Sequence, residues 1–256
     1  MNKPRPWLYW AVLSVLCLLG VSCCKQQQKD PFRYKVAIIG NPSNPDIRYD
    51  ESQMQALKNL GYNTLQLNIA WGARPADEPL NLEDILYVDG IGSREKADQR
   101  LQAIKERARI AKKWGFRTLF HFGAPRVDSL YKILTPDLID IATEKNSIQK
   151  KEIVDKYVSL LKRLKQEVPE LDDIEVYTFD QDAWVANEFG NGPTDRDIPL
   201  HERIPAFLQA LTGTWAEVSP DGMVWWEPWE ISAGQIYACI PSLPTRNFGM
   251  FLHSNI

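Results

Sequence analysis

The chain has 256 residues, 44% hydrophobic and 25% charged, with a formal net charge of −3. That composition supplies an ordinary globular core, as one α/β domain or two small ones, and a mildly acidic chain without a basic run argues against a nucleic-acid binder. Cys239 is the only cysteine beyond the N-terminal segment, which excludes a disulfide framework or a thiolate metal site in the body and leaves a buried structural thiol.

Residues 1–6 carry Lys3 and Arg5, and Trp7 to Val21 is an uncharged apolar stretch of signal-peptide length, short for a full bilayer span. It runs into Gly20-Val21-Ser22-Cys23-Cys24, a small residue just before a cysteine, which resembles the lipobox of bacterial lipoproteins. The resemblance implies that residues 1–23 are a lipoprotein signal and that Cys23 is lipidated, since Ser22 precedes it, whereas Cys24 would need a cysteine in that place. Gly20 stands where those proteins usually have Leu. A lipid anchor in the bacterial cell envelope, expected at the outer membrane, follows from that likeness. Residues 24–33, rich in Gln and Lys, read as a flexible tether.

From residue 34 strand-like and helix-like stretches alternate. Tyr34 to Ile39 is apolar, β-branched and closed by Gly40-Asn41-Pro42, a strand and its turn. Asp50 caps a helix with Met54, Leu57 and Leu60 at helical spacing and Gly61 beyond its end. Thr64 to Ile69 is strand two, and a long loop follows. The next helix spans Arg94 to Trp114, with Leu101, Ile104, Ala108 and Ala111 as its inner stripe and Gly115 as its stop. Strand three is Phe116 to Phe122. Asn146 caps a third helix whose inner face is Ile153, Tyr157, Leu160 and Leu164. Strand four is Ile174 to Phe179, and a helix from Pro205 to Val218 carries Leu208, Leu211 and Trp215. Strand five is Met223 to Trp226, a short helix lies near Ser232 to Ile240, and strand six is Phe248 to Leu252.

Serial alternation predicts parallel strands joined by right-handed crossovers, in a doubly wound sheet or a (β/α)8 barrel. The first strand–helix loop lacks G-x-G-x-x-G and no Walker pattern occurs, while long aromatic loops after strands two to four fit a barrel mouth. The expected fold is therefore α/β, TIM-barrel-like over residues 34–256. It is incomplete, since about six β/α units are present where a closed barrel needs eight.

Two acidic clusters among aromatics close strands four and five: Asp180-Gln181-Asp182-Ala183-Trp184 and Trp225-Trp226-Glu227-Pro228-Trp229-Glu230. Carboxylates move protons or attack carbon, and flat rings stack on sugars, the pairing that carbohydrate cleavage needs. On strand four, Asp180 and Asp182 share a parity with Ile174, Val176 and Thr178, read as the barrel interior, with Tyr177 and Phe179 packing on helices. Asp182 as a turn cap is the structural alternative. Carboxylates ending adjacent strands sit roughly 5 to 9 Å apart, which spans retaining and inverting geometries. Pro228 stiffens the turn after Glu227, and Glu230 is a candidate substrate-binding residue, with a carboxylate favouring the next helix N-terminus as the structural alternative. Trp71, Trp184, Trp226 and Trp229 are candidate stacking platforms. His121 and His253 are candidate partners of sugar hydroxyls, and Trp114 and Trp215 are candidate core. No metal or cofactor is expected.

With the lipoprotein-like signal and Leu60-Gly61-Tyr62-Asn63-Thr64 before strand two, the β/α units resemble secreted TIM-barrel glycoside hydrolases. The resemblance implies catalytic carboxylates at the ends of strands four to seven, hence Asp180, Asp182 and Glu227, and a carbohydrate substrate. The chitinase-like D-x-D-x-E pattern would need Glu where Trp184 stands, and the Asn-Glu dipeptide of another barrel clan occurs as Asn187-Glu188, beyond the strand. The alternative to an enzyme is a non-catalytic glycan-binding lipoprotein on a degenerate barrel.

Overall fold

A computed structural model describes residues 32–40, 47–69, 77–126, 146–177, 197–228 and 231–252. By compactness the chain divides into Met1–Arg33 and Tyr34–Ile256, and every element below belongs to the second unit. In order these are β1 (Val36–Ile38), α1 (Glu51–Asn59), β2 (Thr64–Gln66), α2 (Arg94–Lys113), β3 (Arg117–Gly123), α3 (Lys151–Glu167), β4 (Asp173–Tyr177), α4 (Leu200–Val218), β5 (Val224–Glu227), α5 (Ala233–Cys239) and β6 (Phe248–Met250).

The six strands pair in sequence order, all parallel. A doubly wound sheet reverses direction at a switch point, whereas this one never does, so right-handed crossovers place every helix on one side. The sheet curls into a half-barrel around its other side. In a flat sheet β1 and β5 would be four spacings, about 19 Å, apart. Yet the rings of Tyr34, at the entry to β1, and Trp225 of β5 meet edge-on with centroids 4.9 Å apart. Only curvature brings them together.

Strand parity divides the core. Phe120, Phe122, Ile174, Val176, Val224 and Trp226 join one apolar cluster with Ile104, Ala108, Leu160, Leu164, Leu208, Leu211 and Trp215 of the helices. The opposite parity carries Arg117, His121, Asp173, Glu175, Trp225 and Glu227 onto the concave face, where they meet one another rather than the helices. This corrects the expected parity of strand four: Ile174 and Val176 face the helices, and Tyr177 faces inward beside His121, ring centroids 5.0 Å apart. The apolar residues sit where helices cover them, so the polar set has only the barrel interior left.

Helix boundaries follow local chemistry. Asp50 accepts from the Gln53 amide at the start of α1, and Gly61 and Gly115, at φ 82° and 71°, take the left-handed turns that end α1 and α2. Leu60 is the C-cap of α1 and 72% exposed, not part of its inner stripe. The third helix begins after Lys150 rather than at Asn146, and α4 begins at Leu200, with Pro205 inside it. Trp215 and Cys239 are buried, as expected, and Trp114 is half-buried against the core. Among the described residues no helix is long and apolar enough to cross a membrane.

Candidate active site

Register sets the site. β3 pairs with β4 so that His121 lies opposite Glu175, and β4 pairs with β5 so that Tyr177 lies opposite Glu227. Glu175 itself faces Trp225, two residues below Glu227 on the same side of β5. His121 Nε2 lies 2.8 Å from Glu227 Oε2, and one ligand atom from each of His121, Glu175 and Glu227 falls within 4.8 Å of the others. All three are buried, at 1%, 5% and 3% exposure.

Burial sharpens their electrostatics. Loss of solvent pushes the Glu175 carboxyl up to about 7, and the Glu227 carboxylate adds to that push while His121 opposes it. For His121 burial favours the neutral ring, but the charge of Glu175 and the bond to Glu227 outweigh it and raise the imidazole above its ordinary value. His121 is thereby favoured in its protonated form beside Glu227, with the protonatable carboxyl of Glu175 next to the pair.

Asn68 fixes the imidazole from behind. The last ladder bond between the two strands runs from the Leu67 amide to the Leu119 carbonyl. Beyond it the Asn68 side chain substitutes for backbone: Nδ2 donates to the His121 carbonyl at 2.7 Å and to Pro79 at 3.0 Å, while Oδ1 accepts from the His121 amide at 3.0 Å. Gln66 Nε2 donates to the Asn68 carbonyl at 2.8 Å. Behind this, Arg107 donates to the Leu67 carbonyl and pairs with Glu78.

Of the residues singled out from sequence, the structure brings together Glu227 and His121. Trp226 is fully buried in the helix-facing core, which corrects its reading as a stacking platform: odd and even positions of β5 face opposite sides, and Glu227 takes the concave one. Asp180, Asp182, Trp184, Glu188, Trp71, Trp229, Glu230, His253 and Cys23 lie outside the described residues. Sequence reasoning missed Glu175 and Asn68. The available signal for Glu175 was its alternation with Asp173 in a parallel strand, where neither face meets solvent and charge has to be explained.

No protein-family model matches the chain, and no curated protein matches it. Solved structures do. The chain is similar to a mutant of the O-GlcNAc hydrolase of Thermobaculum terrenum, with a TM-score of 0.56 at 15% identity, over 87% of this chain and 41% of that one. It is also similar to a β-glycosidase (TM-score 0.48, 10% identity, 87% of this chain and 66% of that one). A third is a GH138 enzyme targeting pectin rhamnogalacturonan II (TM-score 0.45, 14% identity, 86% and 26%). At 15% identity the likeness to the O-GlcNAc hydrolase is one of fold, and it fits the TIM-barrel-like architecture. The chain spans under half the length of the O-GlcNAc hydrolase it resembles.

Proposed function

We propose that this chain is a glycoside hydrolase acting on an oligosaccharide or polysaccharide, secreted and lipid-anchored through Cys23 in the bacterial cell envelope. One observation carries the reading: on a fold shared with a sugar hydrolase, the carboxyl group of Glu227 ends an inner strand on the concave face, 2.8 Å from the imidazole of His121. A carboxylate fixed there suits the nucleophile or base of glycosidic cleavage, where it also stabilises the oxocarbenium-like state. The proton donor is assigned to Asp180 or Asp182, which follow β4 in the chain and lie outside the described residues. Glu175, one layer below, sets the charge around Glu227 rather than reaching substrate.

Chromogenic glycosides test this. Hydrolysis falls by at least about a thousandfold in Glu227→Gln and in Asp182→Asn with the fold intact by circular dichroism. Full activity in both variants removes the proposal. The burial of Glu227 at 3% exposure favours one other reading, glycan binding without turnover. Calorimetry that finds binding, alongside no product, selects it.

A further inference from the structure

The clearest unexplained feature is an acid without a donor. Glu175 is 5% exposed, yet it accepts no hydrogen bond among the described residues, and only burial and the charges of His121 and Glu227 act on it. His121 Nδ1, fully buried, also lacks a hydrogen-bond partner among the described residues. Other buried acids are served. Glu78 meets Arg107, Glu83 meets Lys156 and the Tyr157 hydroxyl, and Asp173 meets Arg117. A buried carboxylate without a donor costs stability and persists where something else satisfies it.

From the ligand atoms of one imidazole and two carboxylates, all within 4.8 Å of one another, we infer that His121, Glu175 and Glu227 form a binding site for a zinc-class divalent cation. Three central strands supply the donors, so the backbone frame is rigid. Ligand atoms around a tetrahedral ion with bonds of roughly 2.0–2.1 Å lie about 3.3 Å apart, and small side-chain rotations close that gap. Two carboxylates and a neutral imidazole balance a charge of two. A ring nitrogen in the set disfavours calcium and magnesium, which prefer oxygen alone, and the absence of sulfur disfavours Cu(I). Three protein donors leave a fourth position for water. This inference stands apart from the glycosidase reading: an ion holding Glu227 withdraws it from glycosidic chemistry, so the loaded protein would be the silent form.

Full-length protein, stripped with chelator, is titrated with Zn²⁺ by calorimetry and with Co²⁺ by visible ligand-field absorption, in the absence of sugar. The wild type binds one equivalent that Glu175→Gln and, separately, His121→Gln weaken by at least about tenfold, with the matching cobalt band lost. Cys17, Cys23 and Cys24 are present in every protein, so any zinc they take cancels in the comparison. Zinc also raises the melting temperature of the wild type and not of the variants. Identical binding by wild type and both variants, or none by the wild type, overturns the site. If Glu175→Gln fails to fold, His121→Gln decides alone. Zinc binding without hydrolysis of any glycoside leaves this inference standing, and hydrolysis without zinc binding sinks only this one.

Discussion

Two buried acids on β4, Asp173 and Glu175, point to the same face one layer apart and have opposite surroundings. Arg117 donates to Asp173 through Nη2 at 2.5 Å and Nε at 3.0 Å, and the Met223 amide adds a third bond at 2.9 Å. The same guanidinium donates to the Asp221 carbonyl and lies over the Tyr34 ring, which meets Trp225. Below His121 the half-barrel is closed by charge pairing and aromatic contact. Glu175, two residues on, has two charged neighbours and no hydrogen-bond donor among the described residues. Burial raises the carboxyl of both acids, so burial does not separate them. Donor supply does: the lower acid is built into the fold, and the upper one is left available.

The largest test of that contrast is Arg117→Ala. It leaves Asp173, at 0% exposure, with the Met223 amide as its only donor among the described residues. Breaking a buried pair from one side costs about 3 kcal/mol or somewhat more. Urea unfolding should show it as a lowered midpoint at unchanged slope. A loss under about 1 kcal/mol would mean that the lower pair is no more structural than a surface ion pair.

The contrast also explains what the sequence made legible. Helices announce themselves through one apolar stripe, and Leu101, Ile104, Ala108 and Ala111 of α2 are all buried, with Gly115 at its end. The order of elements was readable because each strand is short, apolar and separated by such a helix. Strand four was readable as a strand but not in its orientation. A parallel strand buried on both sides lacks the alternation that marks a solvent face, so Ile174 and Val176 fit either side equally well by type. Which side is concave depends on sheet curvature, which brings Tyr34 and Trp225 together from 191 positions apart in the chain (225 less 34). Glu227 and His121 were legible because each is a functional residue type closing an apolar run. Glu175 sits inside its run, and Asn68 acts through backbone groups of a residue 53 positions away, which no local pattern encodes.

Asn68→Ala probes the upper layer at its firmest point. The change removes three hydrogen bonds and strands the amide and carbonyl of His121, both on a residue 1% exposed. Each buried backbone group left without a partner costs roughly 1–3 kcal/mol, and partial re-pairing with β2 trims the sum to about 2–3 kcal/mol. The same change frees the imidazole from its fixed distance to Glu227. Nuclear magnetic resonance of the His121 ring should then show its protonation moving back toward the value of an ordinary histidine. An unaltered titration with the full loss of stability would show that Asn68 supports the strand pair without setting the imidazole.

Glu175→Met gives the smallest change and the opposite sign. Methionine has similar length, needs no donor and fills irregular space, so replacing a buried acid that accepts no hydrogen bond among the described residues should stabilise the metal-free protein by about 1 kcal/mol at neutral pH. The direction with pH follows from the carboxyl held near 7 in the fold against an ordinary value of 4.5. The folded protein binds the proton more tightly than the unfolded chain, so the wild type loses stability as pH rises from about 4.5 and stops losing it once pH passes about 7. Methionine does not titrate. The advantage of Glu175→Met should therefore grow between pH 5 and pH 8 in paired urea curves, then level off. A variant less stable than wild type at every pH would mean that Glu175 is held by a donor after all, and the distinction between the two acids of β4 would be gone.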